Sequence, residues 1–305
     1  MGFTVGVGEA DFAALRKENA YYVDKTEIIY ELVHDTKNKV TIFTRPRRFG
    51  KTLMMSMMEN FFSIRKDSES IFKGLSITEH SDLCKEWMNQ YPVLFVSFKD
   101  VEAETYEGAY KMLKSCLADL CKRLPEIEKG ISTNPADQEI FQRLMYKTGE
   151  EDEVKNSLKT LMRMMYDLYG KPVILLIDEY DSPIQLAYEK GIYNSVMDLF
   201  RKFYGDALKG NENLLFALVS GVVEISKESL FSGLNNVQSC SLDSPRFSSY
   251  FGFNQKEVEE IISYYHLPIT FEELRSNYGG YNLVNGEELC NPWSIMNYVY
   301  FPSTI

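Results

Sequence analysis

Five short runs dominated by Val, Ile, Leu and Phe punctuate the chain: Lys39–Thr44, Pro92–Phe98, Pro172–Ile177, Leu214–Val219 and a weaker Val237–Leu242. Their length suits strands. Their near-continuous apolar character predicts burial on both faces, as in a parallel sheet covered by helices. Most are separated by segments with apolar residues at helical spacing: Thr52–Phe62, Tyr106–Leu124, Glu153–Tyr169 and Gly191–Leu208. Alternating strands and helices predict an α/β fold with helices on both faces of the sheet. Methionines gather on two of these helices (Met54, Met55, Met57, Met58; Met162, Met164, Met165). Core filling is their expected role, because a thioether packs irregular gaps well.

A boundary is expected near Ser244–Phe253, separating a main domain over 1–245 from a small segment over 246–305. Asn254 followed by Glu257 has capping-box spacing and opens a helix. Two or three short helices and a glycine-rich turn (Tyr278-Gly279-Gly280-Tyr281) follow, a pattern that suits a helical lid or a winged-helix-like module. The stretch from Tyr298 to Ile305 reads as the start of further structure, so a chain cut before another domain is the expectation.

Composition changes the picture little. The 305 residues suit about two domains on a prior of roughly 150 residues each. With 45% hydrophobic and 25% charged residues, a disordered chain, a fibrous repeat and a disulfide scaffold are all excluded. A net charge of −11 argues against bulk attraction to nucleic acid or anionic lipid, while leaving room for a local basic patch. Five scattered cysteines without a CxxC pair read as buried, reduced thiols, and three distant histidines suggest neither zinc site nor triad. The N-terminus lacks a basic region followed by an apolar one, and the apolar runs fall short of the ~20 residues a bilayer requires. No membrane association and a cytoplasmic location are therefore expected.

The sharpest chemical signal is Arg45-Pro46-Arg47-Arg48-Phe49-Gly50-Lys51-Thr52, set between a predicted strand and a predicted helix. That is the context of a phosphate-binding P-loop. Gly50 permits close approach of backbone to phosphate, Lys51 neutralises β- and γ-phosphates, and the Thr52 hydroxyl meets Mg²⁺. The amides at the helix start, through Leu53, point at the anion and the helix dipole favours it. Arg45 occupies the position where a full motif has glycine. Arg45, Arg47 and Arg48 make the turn cationic, which suits phosphate and also suits nucleic acid.

A second signal is Lys171–Pro183, KPVILLIDEYDSP. An apolar strand running into Asp178-Glu179 has the form of a Walker-B strand, with Asp178 on Mg²⁺ and Glu179 polarising the attacking water. Asp181 either completes the acidic cluster or forms a turn into Ser182-Pro183. The acid directly after Asp178, and the order of parts, suit the additional-strand division of P-loop NTPases. A third, weaker signal is Ser220-Gly221 at the end of the fourth strand, where Ser220 could sense γ-phosphate or orient water. Lys227 is a further candidate cation.

Together these strings resemble the AAA-ATPase-like proteins that usually carry a C-terminal PD-(D/E)xK nuclease-like domain. The resemblance rests on TRPRRFGKT (Thr44–Thr52), LIDEYDSP (Leu176–Pro183) and KESLFSGLNN (Lys227–Asn236). Shorter blocks around Asp11–Arg16, Tyr22–Thr26, Ser220-Gly221, Phe251–Phe253, Gly279–Tyr281 and Asn291–Ser294 extend it over nearly the whole chain. It implies an AAA+/STAND-type core in which Arg45 in place of glycine is normal, and it sets Asp24, Lys25 and Thr26 beside the nucleotide. A helix cap by Asp24 or Thr26 is the plainer alternative. Two departures stand out. Glu224 occupies a position where the family pattern has arginine, which bears on hydrolysis more than on binding. The nuclease motif is absent from these residues, so nucleic acid enters only through such a missing domain.

The expectation is thus a Mg²⁺-ATP-binding domain with slow or regulated hydrolysis that gates an attached or partner effector, as a homo-oligomer or with a partner protein. Lys51, Glu179 and Ser220 are its catalytic residues. A non-hydrolysing nucleotide-binding or interaction module and a nucleic-acid-binding domain using the arginine loop are the alternatives.

Overall fold

The computed structural model describes residues 6–35, 37–129, 134–225, 230–231, 234, 236–283 and 286–302. All five apolar runs become strands of one sheet: β1 (Val40–Thr44), β2 (Val93–Ser97), β3 (Val173–Asp178), β4 (Leu214–Gly221) and β5 (Val237–Cys240). The order is β2-β3-β4-β1-β5, and every pairing is parallel. β4 therefore lies between the strand that leads into the glycine-lysine turn and the strand that ends in Asp178. This is the additional-strand arrangement expected above.

Strand side chains alternate between two cores. Val40, Ile42, Leu94, Val96, Val173, Leu175, Ile177, Ala217 and Val219 face one, which the helices Tyr106–Lys122, Pro135–Met145, Ser157–Tyr169 and Tyr193–Leu208 complete. Phe43, Val93, Ile174, Leu176 and Leu218 face the other, closed by the helix Lys51–Phe62, by Phe12 and by Ile28 and Ile29. Burial on both sides explains why the strands show no polar alternation in sequence. The two methionine-rich faces are core: Met55, Met57 and Met58 fill one layer and Met162, Met164 and Met165 the other.

Helix boundaries differ from the expected ones where a local group stops the turn. The segment expected as one helix over Glu153–Tyr169 is two, Glu151–Lys155 and Ser157–Tyr169. Asn156 ends the first and starts the second, its side-chain amide bonded back to Asp152 O. Gly191, at φ +74°, stays outside the helix Tyr193–Leu208.

After β5 the chain turns through Phe247, then runs into helices Gln255–Tyr265, Phe271–Tyr278 and Pro292–Tyr300. A two-stranded hairpin, β6 (Tyr281–Asn282) and β7 (Glu288–Leu289), lies between the second and third. The first carries the capping box anticipated from Asn254 and Glu257. Val258, Ile261, Leu274 and Ile295 form a small third core, against which Val7, Tyr21 and Val23 of the N-terminal segment pack. The N-terminal segment is thus a wedge between the sheet domain and these helices. Lys25 ties it down, donating to Ser249 O (2.8 Å) and to Glu257 Oε1 (2.5 Å).

Among the described residues no helix is long and apolar enough to cross a membrane. All five cysteines are free thiols, three of them buried. Burial raises the pKa of Cys116 to about 11 and of Cys121 to about 12, so these thiols stay neutral.

Candidate nucleotide site

The turn between β1 and the following helix is shaped by two residues in the left-handed region, Arg48 (φ +65°) and Gly50 (φ +82°). Glycine adopts this conformation without strain, whereas arginine is held there by its surroundings. Gly50 occupies the N-cap position of the Lys51–Phe62 helix without a side-chain cap bond. The first amides of that helix therefore open into a cleft, where an anion can satisfy them.

The cleft has a volume of about 650 Å³. It is lined by the turn itself, Arg47 through Met54, and by Glu179, Ser182, Gln185 and Val222. Tyr21, Tyr22, Val23 and Lys25 of the N-terminal segment line it too, as do Phe253, Pro292, Trp293 and Met296 of the C-terminal segment. The lining thus divides between a cationic, amide-rich turn and a set of aromatic and apolar side chains. That division suits a ligand with an anionic tail and a flat ring.

Lys51 is buried, and its ammonium donates to Arg45 O (3.0 Å) and Pro46 O (2.9 Å). Burial lowers its pKa, an effect that Asp178 opposes. Thr52 Oγ1 donates to Asp178 Oδ2 at 2.8 Å. The other oxygen of the same carboxylate, Asp178 Oδ1, accepts from Ser220 Oγ. Asp178 and Ser220 are buried behind Thr52, which lines the cleft. These are hard oxygen donors of the kind Mg²⁺ takes. Among the described residues no cluster of three or more His, Cys, Asp or Glu side chains could hold a metal by itself. A magnesium ion here would thus depend on phosphate oxygens and water for its remaining ligands.

Glu179 follows at φ +54°, half-buried, and accepts from Ser182 Oγ at 3.2 Å. The left-handed turn swings it off the strand axis into the cleft, away from the line of β3. Burial raises its pKa, and the charge of Asp178 adds to the shift.

The remaining candidates divide. Arg47 is exposed and lines the cleft. Arg48 also lines it, with its guanidinium 3.9 Å from the Trp293 ring centroid. Phe49 is buried under the C-terminal segment, its ring 4.7 Å from that of Tyr281. Leu53 lines the cleft; Pro46 contributes its carbonyl to Lys51.

Arg45 turns the other way. It is fully buried and donates to Thr44 O (2.8 Å), Cys240 O (2.5 Å) and Phe247 O (3.1 Å), with Phe251 against its guanidinium. Burial lowers its pKa to about 10. Its side chain is thereby spent joining β1 to β5 and the 247 turn, and is not available to phosphate or nucleic acid. A side chain that long fits this position only because it runs backward into the core.

Lys25 lines the cleft, while Asp24 and Thr26 do not. Asp24 Oδ1 accepts from Thr26 N (2.9 Å) and Thr26 Oγ1 (2.7 Å), and Asp24 Oδ2 accepts from Ser76 N (2.6 Å). The pair fastens the N-terminal segment to the turn at Ser76 and does not cap the helix Ile28–Val33, whose N-cap is Glu27. Glu224 is exposed and accepts from Ser239 Oγ, clear of the cleft. Lys227 and most of the 227–236 block lie outside the described residues.

Sequence reasoning missed the aromatic wall. Tyr22 and Trp293 are separated by some 270 positions, and only the packing of the N-terminal wedge against the C-terminal helices brings them to one cleft.

A sequence-family profile described as "Predicted AAA-ATPase" matches residues 6–231. The chain is also similar to a protein of Azotobacter chroococcum mcd 1 described as "Uncharacterized protein in vnfD 5'region", with 29% identity over 292 residues. The match covers 95% of this chain and 50% of that protein, so the chain spans about half the relative's length.

Two predictions follow from this geometry. Replacing Arg45 with methionine removes its buried hydrogen bonds to Thr44 O, Cys240 O and Phe247 O, and lowers unfolding free energy in urea by about 2–3 kcal/mol. Arg47→Ala, at an exposed position, changes it by less than about 0.5 kcal/mol. The second concerns Glu179, whose folded-state pKa lies above its unfolded value, so its ionised form opposes folding. Glu179→Gln is expected to raise Tm at pH 7. The gain should disappear below about pH 4, where the unfolded-state carboxyl is itself protonated.

Proposed function

The chain belongs to the predicted AAA-ATPase family, and from that membership and the site geometry we propose that it binds Mg²⁺-ATP and hydrolyses it slowly, under control of the C-terminal segment. One observation carries this reading. The helix start at Lys51, the Thr52–Asp178–Ser220 hydrogen-bond chain and Glu179 converge at one cleft large enough for a nucleoside triphosphate.

In this reading Lys51 exchanges its two carbonyl partners for β- and γ-phosphate oxygens, and the amides of Gly50 to Thr52 donate to the same group. Arg47 adds charge from the rim. Thr52 and Asp178 would hold magnesium, which when bound would neutralise the charge gathering on the phosphates. Glu179, swung into the cleft by its left-handed turn, accepts a proton from the attacking water, and Ser220 keeps Asp178 oriented. Catalysis is then positioning and charge stabilisation. The aromatic wall of Tyr22, Trp293 and Phe253 takes the base.

Regulation would pass through the contacts between the turn and the C-terminal segment. Arg48 on Trp293, Phe49 on Tyr281 and Asn291 Nδ2 donating to Arg47 O (3.3 Å) all join them. Filling the phosphate site disturbs the turn, and these contacts hand the disturbance to the segment that an attached or partner effector would follow.

Phosphate release separates hydrolysis from binding alone. Wild type should release phosphate from Mg²⁺-ATP, and Glu179→Gln should be slower by about 10²–10⁴-fold. The wild-type rate should fall on the acid side at a pH above the ordinary glutamate range, since burial raises the Glu179 pKa and only its ionised form accepts the proton. No measurable release by wild type would leave a nucleotide-binding module without turnover, and a measurable rate unaffected by Glu179→Gln would overturn the role given to Glu179.

A further inference from the structure

Asp181 lies three residues beyond Asp178, is completely buried, and has no part in the chemistry above. Its Oδ2 accepts from the backbone N–H groups of Val222 (2.9 Å) and Val223 (2.6 Å) and from Gln185 Nε2. Two successive amides converging on one oxygen call for a group that only accepts, which a carboxylate is and a hydroxyl is not. Oδ1 has no hydrogen-bond partner among the described residues. It lies against Gly221, where an added Cβ would stand 2.5 Å from it and 2.5 Å from the Tyr180 ring.

Tyr180 grips the same segment. Its hydroxyl donates to Val223 O (2.9 Å) and accepts from Ile225 N (3.2 Å), while its backbone N donates to Ser220 O (3.1 Å). Tyr204 Oη donates to Tyr180 O at 3.0 Å and fixes the turn from behind. The turn after β3 and the segment after β4 are therefore laced together at Ser220 and just beyond it. Ser220 in turn donates to Asp178.

Building on the hydrolytic reading, we propose that Asp181 is a positioning residue, clamping the end of β4 so that Ser220 stays on Asp178 and that carboxylate keeps the orientation metal and nucleotide require. Gly221 is the matching half of the clamp. Any side chain there would push the carboxylate and the tyrosine ring off the strand end, so the two residues act as one unit.

The test uses the whole chain and four variants: Asp181→Ala, Asp181→Asn, Ser220→Ala and the Asp181→Ala/Ser220→Ala double. Amide hydrogen exchange reads the clamp directly, and single-turnover ATP hydrolysis and ATP affinity read its effect. In Asp181→Ala the Val222 and Val223 amides should exchange at least about tenfold faster. Hydrolysis should slow by about 10–100-fold with ATP affinity in the absence of Mg²⁺ kept within about threefold. Asp181→Asn, which keeps one acceptor oxygen, should recover part of the rate. The double variant should be no slower than Ser220→Ala alone, because Asp181 acts on Asp178 through Ser220.

An unchanged rate in a variant whose amides have lost protection overturns the proposal, as do fully additive effects in the double variant. Should Asp181→Ala not fold, Gly221→Ala carries the same comparison. Should wild type bind ATP without Glu179-dependent hydrolysis, it is the hydrolytic reading that fails. The clamp is then judged by the gain in ATP affinity that Mg²⁺ confers: loss of that gain in Asp181→Ala supports it, and an undiminished gain overturns it.

Discussion

One carboxylate organises this molecule's cleft. Asp178 ends the fully buried interior strand β3, and each of its oxygens accepts from a hydroxyl of a different element, Thr52 on the helix after β1 and Ser220 on β4. A carboxyl group buried this deeply needs such partners. Its partners also fix the relative placement of three segments distant in sequence. Glu179 can stand in the cleft because the residue before it is anchored on both sides, which lets the backbone hold a left-handed turn at a residue other than glycine.

Much of this was legible beforehand. Strands without polar alternation announced a sheet buried on both faces, and the turn at Gly50-Lys51-Thr52 and the acids at Asp178-Glu179 lay at strand ends where a site belongs. What was hidden depends on side-chain direction and on long-range packing. Arg45 reads as a phosphate ligand by position and charge, yet its long side chain runs back to the carbonyls of β5 and the 247 turn. Asp24 and Thr26 read as site or cap residues, yet their short polar groups satisfy the turn at Ser76. Asp181 offered two readings in sequence. Its bonds to Val222 and Val223 amount to a third, visible only once β4 is set beside β3.

The cleft is built jointly by three parts of the chain. The N-terminal wedge contributes Tyr22 and Lys25, the sheet domain contributes the turn, and the C-terminal helices contribute Trp293. Lys25 is bonded to Glu257, the residue that also completes the capping box of the first C-terminal helix, so a wall of the cleft and the start of that helix share one side chain. A ligand held between these parts would bear on how they sit together.

In the proposed function Lys51 and Asp178 serve one bound nucleotide and its metal. Calorimetric titration with ATP, with and without Mg²⁺, on wild type and on Lys51→Ala tests it most directly. The account predicts binding that tightens with Mg²⁺ in wild type and weakens at least about tenfold in Lys51→Ala, in keeping with loss of a charge-assisted contact. Binding that is equal in the two proteins and indifferent to Mg²⁺ would contradict it.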